Sequence, residues 1–169
     1  MDAAAVRHYN RLHLDRDNWR ALRLVFLADD SLLACAWQPR DPLLRLWQGD
    51  SDLLRAGGAP LRRVLDTGGA RLGALALDST GAQVACGFNP PMPEPGQPCG
   101  RVWTLPRGRL VAELASGAAP LPTLALAFAG ANTLAAGHSD AIGLWSLADG
   151  TQRALLPGAF GAPVTALAG

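Results

Sequence analysis

Lysine is missing from this chain: all 15 of its basic residues are arginine. No side-chain amine exists here to be acetylated or joined to ubiquitin. The abundance of Ala, Gly, Pro and Arg reads as coding bias. Cysteine is scarce as well, with three in 169 residues. Three thiols do not make a disulfide framework, and neither a Cys-x-x-Cys pair nor a histidine at ligand spacing is present to hold zinc. Cys35 and Cys86 stand at similar places on small-residue segments, where a thiol packs as a small hydrophobe, and Cys99 falls in a proline-rich loop. No apolar run is long enough for a membrane-spanning helix. The start, Met1-Asp2-Ala3-Ala4-Ala5-Val6-Arg7, lacks the apolar core of a signal peptide. These absences predict a soluble protein in a reducing compartment, cytoplasmic or else nuclear. A formal net charge of +1 leaves no electrostatic footprint for nucleic acid or an acidic membrane, so neither is expected as a partner.

What the chain does contain is a repeat. Three tryptophans sit in similar settings: Leu43-Leu44-Arg45-Leu46-Trp47, Arg101-Val102-Trp103-Thr104-Leu105 and Gly143-Leu144-Trp145-Ser146-Leu147. Each is preceded by an apolar run, at 22–27, 72–77 and 123–128, and Pro163-Val164-Thr165-Ala166-Leu167 reads as a fourth such start. The 19 Gly and 13 Pro fall mostly at turn positions, which favours many short strands. The first repeat reads as strands at 22–27, 32–37, 43–48 and 61–65; the second as 71–77, 82–88, 101–105 and 109–114; the third as 123–128, 133–137, 142–147 and 151–156. Four strands in about 40 residues, repeated, is the pattern of one propeller blade per repeat. The predicted blades span about 22–66, 70–116 and 121–158, with a fourth beginning at 162–169. Residues 1–20 differ: Val6, Tyr9, Leu12 and Leu14 are spaced like one face of a short helix, so a helical or turn-like lead-in is expected before the β domain of 21–169.

The stretch Asn132-Thr133-Leu134-Ala135-Ala136-Gly137-His138-Ser139-Asp140-Ala141-Ile142-Gly143-Leu144-Trp145-Ser146-Leu147-Ala148-Asp149-Gly150 resembles a WD repeat. It matches that family's second strand, acidic turn, tryptophan-bearing third strand and closing Asp-Gly turn. Asp78-Ser79-Thr80-Gly81 is similar to the family's first hairpin turn. The resemblance covers roughly 22–169 and implies an all-β, WD-type propeller segment of about three four-stranded blades plus one extra strand. It departs from the family in its polar relay. Asp140 stands in place near Trp145, but Ala136 occupies the hydroxyl position, and no Gly-His pair precedes an inner strand. Apolar packing should therefore hold these blades, since a half-made buried network costs more than none. A closed ring commonly needs about seven blades, and at least about four, so the chain reads as a fragment in preference to an assembling oligomer. The lead-in Asn18-Trp19-Arg20 is similar to the linker of F-box/WD-repeat proteins. That resemblance implies a substrate-recruiting subunit of a cullin–RING ubiquitin ligase, with ligase adaptor components as partners through an F-box that would lie upstream.

Catalytic chemistry finds little foothold. The histidines are His8, His13 and His138, none in a nucleophile-elbow pattern. His138-Ser139-Asp140 reads as a polar turn, because neighbours on a hairpin point to alternating sides. Gly57-Gly58 and Gly68-Gly69 lack the Lys-Ser/Thr of a phosphate loop. No catalytic residue, cofactor or metal is expected. The surface offers more. Pro90-Pro91-Met92-Pro93-Glu94-Pro95-Gly96-Gln97-Pro98-Cys99-Gly100 holds five prolines, which keep a loop extended at small entropic cost. In a WD-type blade that hairpin opens on the usual docking side. Arg40 and Asp41, Met92, Glu94 and Gln97, and His138 and Asp140 are the expected partner-binding positions, with Trp47, Trp103 and Trp145 as the structural repeat. The reading is a non-catalytic protein-interaction scaffold. Its rivals are a propeller enzyme of hydrolase or quinoprotein type, with a site in the central channel, and a self-assembling lectin-like binding protein.

Overall fold

The computed structural model describes residues 20–26, 32–38, 41–49, 61–68, 71–89, 94–105, 107–115, 121–158 and 162–167. Among these residues the fold is all-β, without a helix, and no helix is long and apolar enough to cross a membrane. The helical lead-in expected before Arg20, and the Asn18-Trp19 match within it, lie outside the described residues. The chain divides into two compact units, residues 1–69 and 70–169.

The first unit holds β1 (Arg20–Phe26), β2 (Leu32–Gln38), β3 (Asp41–Gly49) and β4 (Leu61–Asp66), paired in that order as an antiparallel sheet. Leu44 and Leu65 face each other across β3 and β4, and both are buried. The Asp66 carboxylate accepts from the Gly68 amide at 2.7 Å, closing the strand with an Asx turn in which Gly68 takes φ +71°.

The second unit holds two such sheets. One comprises β5 (Leu72–Leu77), β6 (Gln83–Phe88), β7 (Pro98–Thr104) and β8 (Leu110–Ala115). The other comprises β9 (Ala125–Phe128), β10 (Thr133–Gly137), β11 (Ala141–Ser146) and β12 (Gln152–Pro157). Each meanders in sequence order, as short turns between antiparallel strands require.

The three tryptophans hold one register. Trp47 pairs with Ala34 and Leu61, Trp103 with Val84 and Leu110, Trp145 with Leu134 and Gln152. In every sheet a bulge on the fourth-strand side falls immediately before the tryptophan. It leaves Arg62, Val111 and Arg153 unpaired opposite the third strand and adds local twist. The repeat read in the sequence is thus a repeat of strand pairing.

Within the second unit the two sheets pack face to face. Ala74, Ala76, Ala85, Val102 and Leu114 of β5–β8 form one buried cluster with Leu126, Leu134, Ala136, Trp145 and Leu147, flanked by Phe128. Small residues on one side let the indole of the other approach closely, and close packing makes each lost methylene count. Gly87 is part of this fit, since a Cβ there would overlap the Thr123 side chain.

Two segments differ from the strands that the sequence predicts. Cys99 was expected in the proline-rich loop, but β7 begins at Pro98, three residues before the expected start. Proline is tolerated as the first residue of a strand, and a bulge between Pro98 and Gly100 absorbs the irregularity. The Cys99 thiol is buried, donates to the Leu114 carbonyl at 3.2 Å, and is pushed up to about 12 chiefly by desolvation. The expected fourth inner strand, 163–167, forms no strand ladder among the described residues. It contributes one backbone bond to the third sheet, from the Val164 amide to the His138 carbonyl at 2.9 Å.

Candidate interaction surface

The hairpins joining second to third strands carry the expected partner-binding residues. In the β6–β7 hairpin, Glu94-Pro95-Gly96-Gln97 makes a tight turn. The Gln97 amide donates to the Glu94 carbonyl at 3.2 Å, and Gly96 takes φ +81°. Proline at the second position and a positive-φ glycine at the third define a type II turn. The side chains lock it further: Gln97 Nε2 donates to Glu94 Oε2, and Gln97 Oε1 accepts from the Glu94 amide, both at 3.4 Å. Glu94, Pro95 and Gly96 are exposed. The tip is thus held by its own hydrogen bonds, and its Pro-Gly pair is a turn signal readable in the sequence.

The β10–β11 hairpin is short. The His138 amide donates to the Ala141 carbonyl at 2.9 Å, and Ser139 and Asp140 are exposed. The Asp140 carbonyl accepts from the Gly158 amide at 2.5 Å. A Cβ at Gly158 would crowd that carbonyl, so the chain leaving β12 is held against the hairpin.

His138 is not part of this surface. Expected in an exposed polar turn, it is only 2% exposed. Its imidazole stands edge-on to the Trp145 indole, with centroids 5.8 Å apart, and its Nδ1 lies 3.1 Å from the Pro122 carbonyl. Burial lowers its pKa from the ordinary value, while the Pro122 carbonyl and the Asp140 charge oppose that shift. The physical reason is positional. His138 occupies the place that Phe88 fills, fully buried, in the neighbouring sheet, and its backbone carbonyl binds Val164 as that of Phe88 binds Thr123. Residue type suggested a polar turn; the strand register dictates a core site.

Of the other expected positions, Arg40 and Met92 lie outside the described residues. Asp41 opens β3 and pairs with Gln38. Glu94 and Gln97 are brought together, and Asp140 holds the corresponding hairpin of the next sheet. Pro122, whose carbonyl anchors His138, gave no signal in the sequence, because a backbone acceptor has no residue-type signature.

The opposite ends of the sheets are closed by aspartates. Asp78 accepts from the Gln83 amide at 2.8 Å and from the Thr80 hydroxyl at 2.5 Å. Asp149 accepts from the Thr151 hydroxyl at 2.8 Å and the Thr151 amide at 3.1 Å, and meets Arg153 at 2.6 Å. The Thr151 hydrogen bonds, hydroxyl first, hold its carboxyl below the usual range, with smaller contributions from Ser146 and Arg153. These polar groups are spent on turn closure.

No protein-family model matches the chain, and no curated protein matches it. Solved structures do. The chain is similar in fold to the computationally designed Ika8 protein, at 24% identity and a TM-score of 0.57, over 87% of this chain and 39% of that one. It is likewise similar to Sqt1 from Chaetomium thermophilum, at 24% identity and a TM-score of 0.56, over 86% of this chain and 37% of that one. The chain therefore spans about two fifths of the length of either neighbour, and what it shares with them is fold.

Proposed function

We propose that this chain is part of a WD-type β-propeller and serves as a non-catalytic platform for a protein or peptide partner. The repeated four-stranded meanders, together with the fold likeness to Sqt1 from Chaetomium thermophilum, support the architecture. The observation that carries the function is the Glu94–Gln97 turn: exposed, self-bonded, and mounted on a strand pair whose base is buried. Because the turn is ordered in advance, a partner binds it with little conformational entropy lost on this side. Asp140 adds a second carboxylate on the equivalent hairpin, so an extended segment with basic residues is the chemistry that fits.

The test replaces residues 90–97 by a three-residue hairpin like that at 138–140 and screens both proteins against a peptide array. Peptides retained by the wild type should be lost by the shortened variant while its circular dichroism stays unchanged. Equal retention by the two proteins would refute the reading. Recruitment to a cullin–RING ligase rests on Asn18-Trp19-Arg20 alone. A complete gene product that does not retain the F-box-binding adaptor would remove it.

A further inference from the structure

We infer that the β7–β8 hairpin and the outer edge of β8 form a second docking ledge, which takes an extended peptide alternating acidic and apolar residues. The ledge lies at the opposite end of β7 from the Glu94–Gln97 turn and calls for the opposite charge. It is therefore independent of the platform reading.

The backbone supplies the first reason. β8 is the last strand of its sheet, so one side of it has no ladder within that sheet. The whole β9–β12 sheet follows it in the chain, and among the described residues a later segment pairs with this edge only at its far end. There the Ala115 amide donates to the Gly150 carbonyl at 3.1 Å, and Ala115 forms an isolated parallel bridge with Thr151. The edge thus already accepts an extended neighbour at one end. Along Leu110 to Ala112, no strand pairs with its outer side among the described residues.

The side chains supply the second. The bulge sets two residues of each fourth strand opposite a tryptophan. These are Leu61 and Arg62 in β4, Gln152 and Arg153 in β12, and Leu110 and Val111 in β8. β8 alone places an apolar pair there, and both residues are open to solvent, Leu110 at 44% and Val111 at 41%. Charge stands immediately before this pair. Arg107 and Arg109 are exposed, and neither forms an ion pair among the described residues. The one acid on the strand, Glu113, is taken by Arg101. The turn that carries the two arginines is fixed by its own bonds. The Gly108 amide donates to the Thr104 carbonyl, and the Thr104 amide donates to the Arg109 carbonyl, both at 2.8 Å.

Two free guanidiniums beside two exposed apolar side chains, along an open strand edge, define the occupant. Backbone pairing would hold an extended segment, its carboxylates would meet the arginines, and its apolar residues would cover Leu110 and Val111. Alternation fits because neighbours on a strand, such as Arg109 and Leu110, face opposite sides.

The test measures binding of the labelled peptides Glu-Val-Glu-Val-Glu-Val and Gln-Val-Gln-Val-Gln-Val to the 169-residue chain by fluorescence polarisation. The acidic peptide should bind with a Kd of about 100 μM or tighter, as small transient contacts do, and the neutral one at least about fivefold more weakly. Arg107→Gln combined with Arg109→Gln should weaken the acidic peptide about fivefold. Leu110→Gln, the β12 residue at that register, combined with Val111→Thr should weaken it about as much. Replacing residues 90–97 should leave it unchanged, which separates this ledge from the platform. Failure to bind the acidic peptide at about 1 mM, equal binding of the neutral one, or wild-type affinity in either double variant overturns the inference. So does equal binding of an acidic peptide methylated on alternate backbone amides, which cannot pair as a strand. Should L110Q/V111T lower the urea midpoint, Val111→Thr alone makes the same comparison.

Discussion

The two sheets of the second unit are built on one register yet solve the same packing problem differently. In the β5–β8 sheet, the third-strand position two residues before the tryptophan is Arg101, tied to Glu113 at 2.6 Å, and the strand before it ends in buried Phe88. In the β9–β12 sheet those places hold Gly143 and His138. Removing the side chain at 143 lets the six-membered ring of Trp145 lie over the backbone, and the imidazole meets the indole edge. The difference teaches that the tryptophan position is shared while its support is local. In one sheet a salt-bridged arginine stands two residues before it; in the other an empty Cβ site and a buried histidine meet the indole.

Four substitutions bear on that contrast. The largest effect is expected at Gly143. An alanine Cβ would overlap two ring atoms of Trp145, so G143A should cost about 1–3 kcal/mol through overpacking, measured as a fall in the urea midpoint. Arg101→Ala, at the matching place, loses a half-exposed ion pair worth under about 1 kcal/mol. Equal losses at the two sites would break the contrast.

Histidine 138 comes next. Burial lowers its pKa, so the unfolded chain takes up its proton at a higher pH than the folded one. The stability that the neutral imidazole contributes is complete above about 6.5. It is lost as the pH falls from there through the lower folded-state value. His138→Phe, which installs the residue of the β5–β8 sheet, should remove this slope between pH 7 and 5; a slope that persists in the variant would assign it elsewhere. The smallest effect concerns Trp145 Nε1, buried without a hydrogen-bond partner among the described residues. Ala136→Ser introduces an acceptor on the adjacent strand and should raise stability by about 1 kcal/mol, seen as a higher melting temperature.

Much of this architecture could be read from residue order. The alternation around Trp47, Trp103 and Trp145, the Asp78 and Asp149 turns and the strand count all follow from period-two patterning and turn chemistry, which are local. The errors have a common physical origin. Pro98 and Cys99 were read as loop because proline breaks most strands, yet at a strand's first residue it forfeits no ladder bond. His138 was read by its polarity, although its burial depends on the Pro122 carbonyl and the Trp145 ring, which only tertiary contact brings to it. The bulges before each tryptophan follow no single residue type, since Arg62 and Arg153 are cationic while Val111 is apolar.

Gly87 and Gly137 mark seams. At each, the chain entering the next element fills the volume a methyl group would occupy, so the joint between repeats is sealed backbone to side chain. A wedge of one carbon at either place would act between repeats and leave the pairing within each intact. Because the two sheets of the second unit share one buried core, a wedge at Gly87 would be felt on both sides of the seam at once.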